Sequence, residues 1–219
     1  MRSVVVAFTL AALALSGCGS NEGTSTPAPV DAATTPDVTA TPDTAAPVDA
    51  APPAPTYPPG PYGSSVCRRF QPFTLNQCDG TPWSFASDEF FTATATVVII
   101  GAVWCVPCQM EARQIEAELS SYRERGVRVV AVLVQNADRT AITANSCTAW
   151  VNRYGLTIPM LMDPQQRLQP YYPGLAFPGN LIVDGRGVIR YRGYGTETGL
   201  TAIKAALDDV LANPTTCTP

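Results

Sequence analysis

Cys105 and Cys108, in the run Trp104-Cys105-Val106-Pro107-Cys108, are the residues whose types and spacing specify chemistry most directly. Two thiols separated by two residues can ligate a metal, staple a loop, or cycle between dithiol and disulfide. A structural zinc site takes four Cys, His or carboxylate ligands and usually pairs two such knuckles, whereas this chain has one and no histidine in its 219 residues. Placement separates the remaining readings. A β-branched run, Thr96 to Gly101, precedes the pair and a helical stretch follows it, and a mere staple has little reason to sit at such a junction. A thiol at a helix N-terminus faces unpaired backbone N–H groups and the positive end of the macrodipole, which favour thiolate and lower its pKa. Cys105 is therefore the expected nucleophile. Pro107 suits the first helical turn, having no N–H to leave unpaired and a φ that is already helical. Cys108, one turn in, points along the apolar stripe and is expected to be the less exposed, resolving thiol.

The elements that must position this pair follow from periodicity. From Cys67 onward short apolar strands alternate with amphipathic helical stretches, the pattern of an α/β domain. Phe73 to Leu75, the Asp79-Gly80 turn and Trp83 to Phe85 predict an opening hairpin. Thr96 to Gly101 reads as a central strand buried on both faces. Cys108, Ala112, Ile115, Leu119 and Tyr122 recur at spacings of 4, 3, 4 and 3, one apolar stripe on a helix ending near Gly126. Val127 to Val134 predicts a second buried strand and Thr140 to Tyr154 a second helical stretch. Asn180 to Val183 and Val188 to Tyr194 predict a hairpin, and Thr198 to Ala212 a closing helix. With no histidine, Ser-His-Asp triads, imidazole general acids and His metal sites are excluded.

The run Val97 to Glu111, Val-Val-Ile-Ile-Gly-Ala-Val-Trp-Cys-Val-Pro-Cys-Gln-Met-Glu, resembles the thioredoxin superfamily. Within it the chain is similar to the exported TlpA/ResA-like (redoxin, AhpC/TSA-type) thiol-disulfide oxidoreductases, over roughly residues 70 to 212. The resemblance implies a thioredoxin-like fold, a mixed central β-sheet flanked by helices, here with an N-terminal β-hairpin extension. It also implies roles for particular residues. Glu111 matches the glutamate that assists proton transfer near the resolving cysteine in that branch; the alternative is a solvated carboxylate supporting the helix N-terminus. Phe177-Pro178 takes the place of the family's cis-proline, beside which the preceding backbone, with Trp104, meets an extended segment of substrate. Ile99 stands where thioredoxins proper carry a buried aspartate, so that relay is missing. The family's frequent proline after the glutamate is absent too, which implies a less kinked helix. Peroxiredoxins share the architecture, but their peroxidatic cysteine follows Thr or Ser at minus three and Pro at minus seven. Those positions are Cys105 and Gly101 before Cys108, and Ala102 and Val98 before Cys105, so neither thiol fits.

The amino terminus reads as an address and a tether. Met1-Arg2-Ser3 is a short basic head and Val4 to Leu15 an apolar run too short to span a bilayer as a mature helix, so residues 1–17 predict a signal peptide. Leu15-Ser16-Gly17-Cys18 resembles the bacterial lipoprotein box, which implies lipidation of Cys18; an ordinary signal peptidase site is the alternative. Residues 18–62 hold 11 of the 21 prolines and a six-residue spacing of Asp31, Asp37, Asp43 and Asp49. Such a segment buries too little apolar surface to offset backbone entropy and predicts a disordered spacer, leaving 63–219 as the folded domain. Arg2 against Glu22 and those four aspartates accounts for the whole net charge of -4. The domain itself is neutral, with no basic excess to suggest nucleic acid. Cys67, Cys78, Cys147 and Cys217 are an even number of thiols in an exported protein, so two structural disulfides are expected. Of the three possible pairings, Cys67 with Cys78 and Cys147 with Cys217 is the preferred expectation.

Together these features predict a membrane-anchored, extracytoplasmic thiol-disulfide oxidoreductase, facing the periplasm or cell surface, monomeric, and without cofactor or metal. Its partners would be protein thiols and disulfides, and the resemblance extends to cytochrome c maturation. The Val106-Pro107 dipeptide lacks the histidine that stabilises thiolate in strong oxidants, which favours a reductant. A peptide-binding module with a static disulfide and a peroxidase-like redoxin are the alternatives.

Overall fold

The computed structural model describes residues 56–195 and 199–217; the leader, Cys18 and the tether up to residue 55 lie outside the described residues. Seven strands form one mixed sheet in the order β2-β1-β5-β4-β3-β6-β7. β3 (Ala95–Gly101) is buried at all seven positions, as its unbroken β-branched run requires. It pairs in parallel with β4 (Val127–Leu133) and antiparallel with β6 (Gly179–Asp184). β7 (Ile189–Tyr194) extends the sheet beyond β6 as the expected hairpin. On the other side, β5 (Met160–Met162) joins β4 to the opening hairpin of β1 (Thr74–Gln77) and β2 (Pro82–Ser84). This hairpin carries an aromatic cluster, in which Phe85 lies 4.5 Å from Trp83 and 5.1 Å from Phe70, ring centre to ring centre. The arrangement is the α/β, thioredoxin-like fold that the Val97 to Glu111 run implied.

The helices depart from the sequence reading in one important place. The stripe from Cys108 to Tyr122 is carried by two helices, α2 (Val106–Ala112) and α3 (Ile115–Glu124), following the short α1 (Asp88–Thr92). At the junction the ladder tightens, Gln114 N–H donating three residues back to Glu111 O at 2.9 Å before the regular pattern resumes. No proline or glycine marks the break, and the buried positions keep their 3 and 4 spacing across it, so periodicity alone reads one helix. The helix is thus interrupted after Ala112 without the proline that marks this place in the family. α4 is Ala144–Tyr154, starting four residues later than expected because Thr143 caps it, its hydroxyl accepting from Ser146 N–H. α5 (Leu200–Ala212) packs on β6 and β7 and meets α3, where the Tyr122 hydroxyl donates to Lys204 O at 3.3 Å. Among the described residues no helix is long and apolar enough to cross a membrane.

Residues Tyr57 to Tyr62, assigned by composition to the tether, pack on the folded unit instead. The Tyr57 hydroxyl donates to Phe70 O, and its ring lies 5.4 Å from Phe91. Together with Arg69, which donates to Pro59 O, this aromatic anchor brings the start of the folded unit forward of residue 63.

The preferred disulfide pairing is overturned: the bonds are Cys67–Cys217 and Cys78–Cys147. The preferred pairing would have closed one short loop, Cys67 to Cys78, but strand neighbours decide. Cys78 follows β1, its N–H donates to Met160 O on β5, and α4 with Cys147 packs on β5. Cys67 N–H donates to Ile189 O at the start of β7. The chain leaving α5 returns to the same strand, where Arg190 donates to Asn213 O at 2.7 Å and Pro214 O at 3.1 Å, setting Cys217 beside Cys67. Closing loops with separations of 150 and 69 residues stabilises by about 5 and about 4 kcal/mol in the chain-entropy model. Non-reducing peptide mapping is expected to recover linked peptides for both pairs. The double variant Cys67→Ser/Cys217→Ser should lose about 3 to 5 kcal/mol in denaturant unfolding, and recovery of a Cys67–Cys78 peptide would contradict the assignment.

Candidate active site

β3 delivers the active pair. After Gly101 the chain turns, Val103 N–H donating to Gln135 O and Cys105 N–H to Ala102 O, each at 3.0 Å. Cys105 caps α2, and its sulfur accepts the Cys108 N–H at 3.1 Å, the interaction a thiolate at a helix N-terminus would use. The two sulfurs are joined as a disulfide. Gly101 makes this packing possible, since a Cβ there would lie 3.1 Å from the Cys108 sulfur and 3.2 Å from its Cβ. The expectation that Cys108 is the more shielded thiol is not met: in the disulfide both residues are buried, Cys105 at 3% exposure and Cys108 at 6%.

Trp104 is clamped from three sides. Its indole N–H donates to Gln135 Oε1 at 2.9 Å, the Arg139 guanidinium sits 4.1 Å above the ring, and Phe177 meets it edge-on at 5.9 Å. The Phe177-Pro178 peptide is cis, as the resemblance implied. Phe177 is buried and its N–H already donates to Leu175 O at 3.0 Å. An added strand would therefore meet the Phe177 carbonyl first. Val106, Met110, Leu175 and Tyr194 are exposed apolar side chains on the elements flanking the pair and the cis-proline.

Glu111 is buried, so the solvated alternative does not hold. It shares a cavity of about 160 Å³ with Pro107, Met110, Gln114, Pro178 and Leu200, which brings it together with the cis-proline. Asn180 Nδ2 donates to Glu111 Oε1 at 3.3 Å. Desolvation raises the Glu111 pKa to about 7, against the opposing effect of that hydrogen bond. A carboxyl poised there can take up and return a proton near neutral pH. On β7 the Tyr191 hydroxyl is pushed up, first by its own burial and then by the Glu111 charge. Trp104, Cys105, Cys108, Glu111, Phe177 and Pro178 thus gather at one end of β3, whereas Cys18 lies outside the described residues.

Asn180, Gln135, Arg139 and Gly101 are neighbours of the candidate site that the sequence reading passed over. Asn180 left a signal, being a polar residue in an otherwise apolar strand run. Gln135 and Arg139 lie in a loop far along the chain from Trp104, and nothing local marks them. Among the described residues no group of three or more Cys, Asp or Glu is placed to hold a metal ion.

A model of the AhpC/TSA family matches residues 66–192. Curated relatives are named thiol-disulfide oxidoreductase ResA. That of Bacillus thuringiensis (strain Al Hakam) is 30% identical over 43% of this chain and 51% of its own length, and that of Halalkalibacterium halodurans 29% identical over 39% and 46%. The chain thus spans about half the length of the curated relatives it matches. Among solved structures, a hypothetical protein of Sinorhizobium meliloti 1021 aligns with a TM-score of 0.58 at 22% identity, covering 71% of this chain and 90% of its own. A thioredoxin-family thiol:disulfide interchange protein of Chlorobium tepidum TLS aligns with a TM-score of 0.53 at 17% identity, covering 65% and 95%. At these identities the structural matches speak for the fold.

The raised pKa of Glu111 has a definite sign for stability. An unfolded carboxyl releases its proton near 4.5 and the folded one near 7. Between those values the folded state holds the extra proton, so the stability present below pH 4.5 is lost as pH rises through 7. At about 1.4 kcal/mol per unit the loss is about 3 kcal/mol. Glu111→Gln has no such titration. In guanidinium unfolding its stability should fall less than that of the parent between pH 4 and pH 8, by about 3 kcal/mol. Equal pH dependence in the two proteins would sink the assignment of a buried neutral acid.

Proposed function

The chain belongs to the AhpC/TSA family, in the TlpA/ResA-like part of the thioredoxin superfamily, and on that premise we propose that it is a thiol-disulfide oxidoreductase acting on partner proteins through Cys105 and Cys108. The observation that carries the reading is the Cys105 sulfur held against the Cys108 N–H at the start of α2. In the reduced protein the Cys105 thiolate attacks a substrate disulfide, forming a mixed disulfide and expelling one substrate sulfur as thiolate. Cys108 then gives its proton to Glu111 and attacks Cys105. This closes the Cys105–Cys108 bond, oxidises the enzyme pair by two electrons and releases the second substrate sulfur as thiolate, so that the substrate is reduced. Trp104, the Phe177 carbonyl and Pro178 form the surface against which the substrate segment lies.

The working direction is reduction, because nothing in Val106-Pro107 supplies a charge that would make the dithiol unusually stable. The setting is extracytoplasmic: two long-range disulfides outside the active pair persist only where the surroundings are oxidising. Residues 1–17 act as the leader, Cys18 carries the lipid, and the chain from there to residue 56 is the spacer, since Tyr57 already packs on the folded unit. At about 3.1 Å per residue for Pro-rich chain the spacer lets the domain work on the order of 100 Å from its anchor. The substrate class is protein disulfides, with cytochrome c maturation as the pathway.

Trapping in the native compartment tests this. Cys108→Ala should accumulate mixed disulfides on Cys105, identifiable by mass spectrometry, and Cys105→Ala should accumulate none. Glu111→Gln should slow resolution of the mixed disulfide by about 10². A folded, reduced protein that turns over no model disulfide while still retaining peptides would establish the binding module instead, and rapid consumption of hydrogen peroxide would establish the peroxidase.

A further inference from the structure

Two buried acceptor oxygens beside the active pair have no hydrogen-bond partner: Glu111 Oε2 and Asn180 Oδ1. They belong to two groups already joined on their other atoms, Asn180 Nδ2 donating to Glu111 Oε1 at 3.3 Å. A carboxylate cannot relieve this, since it has only acceptors to offer. A carboxylic acid can. A primary amide and a protonated acid form a ring of two antiparallel hydrogen bonds, and a proton on Glu111 Oε2 donated to Asn180 Oδ1 would satisfy both orphaned atoms at once. Left unpaired, each atom has lost its water partners with nothing in return.

The register explains why Asn180 is available. Ile99 on β3 stands directly opposite Asn180 on β6, and opposed residues share a sheet face. Gly101 lies on that face too, two residues beyond Ile99, and is the residue that touches Cys108. The polar group that Ile99 does not provide is thus supplied from the neighbouring strand, aimed at α2. Facing Glu111 among the described residues are Asn180 from β6, the Tyr191 hydroxyl from β7, Leu200 from α5 and, one turn back on its own helix, Cys108. Among the described residues no Lys or Arg forms an ion pair with it.

We propose that Asn180 is a positioning residue that holds Glu111 as a neutral, hydrogen-bonded acid against the oxidised Cys105–Cys108 pair, so that the proton for Cys108 is stored inside the protein. When a donor thiolate attacks Cys105, a donor–Cys105 bond forms and the Cys105–Cys108 bond breaks. Cys108 leaves as thiolate and takes the Glu111 proton, and Glu111 becomes the carboxylate that later accepts that proton when the pair closes again. A second donor thiolate attacks the donor sulfur and frees Cys105, completing the two-electron reduction. The redox half of this inference rests on the proposed oxidoreductase activity; the acid–amide pair does not.

Infrared difference spectroscopy of the full chain in its oxidised form at pH 6 tests the pair. The parent should show a hydrogen-bonded carboxylic acid C=O band that Glu111→Gln removes and that Asn180→Leu shifts to the higher frequency of an unbonded acid. Asn180→Ala carries the same readout should the leucine variant not fold. In single-turnover reduction of the oxidised pair by dithiothreitol, the folded Asn180 variant should be slower by about 10-fold, less than the roughly 10² to 10⁴ lost when a general acid is removed outright. A parent without the band, or a band unmoved in the Asn180 variants, overturns the inference. Turnover of a model disulfide by the parent reads the oxidoreductase proposal separately: turnover without the band defeats only the stored proton, and a band without turnover defeats the redox role.

Discussion

The contact between the Cys105 sulfur and the Cys108 N–H, 3.1 Å long, is the constraint around which the rest of the molecule is arranged. It exists only if a strand ends and a helix begins within a few residues, with the cysteine as the cap. A strand buried on both faces gives β3 a fixed end point, and Pro107 fixes the direction of the first helical turn. Close approach of helix to strand then demands that Gly101 have no side chain, because the Cys108 sulfur occupies that space. Trp104, held by Gln135, Arg139 and Phe177, closes the other side.

Around this junction the protein places its polar groups sparingly. Glu111 is buried with one hydrogen bond, and its high pKa follows from loss of water, not from a neighbouring charge. Such a group is costly as an anion and inexpensive as an acid, which is what a proton shuttle near neutral pH needs. The break between α2 and α3 falls directly after it, with Gln114 N–H turned back onto Glu111 O. Helix geometry and carboxyl placement are therefore settled at the same residues.

The two remaining disulfides do different work from the active one. Cys67–Cys217 ties the entry and exit of the folded unit to the β7 side, and Cys78–Cys147 ties the opening hairpin to α4. Both close long loops, so their effect is on the unfolded chain, and neither lies on the elements that hold Cys105. Opening of the Cys105–Cys108 bond would therefore leave the frame fastened.

Much of this was legible in the residues. The β-branched run, the thiol spacing, Pro107 and the periodic helices identify the fold class and the reactive pair, because each acts through neighbours only a few positions away. Glu111 and Pro178 were legible through resemblance, but the burial that gives Glu111 its pKa was not. The helix break stayed hidden since the apolar spacing runs through it unbroken, and the disulfide partners since strand order overrides loop length. What the sequence by itself determined was local: a closely spaced thiol pair at a helix start, no imidazole anywhere, and a Pro-rich amino terminus unlike the rest. What only the tertiary structure decided was which distant groups meet, Asn180 with Glu111, Arg139 with Trp104, Cys67 with Cys217. Those meetings depend on sheet register and on which side chains lose water together, and neither is encoded within any one segment.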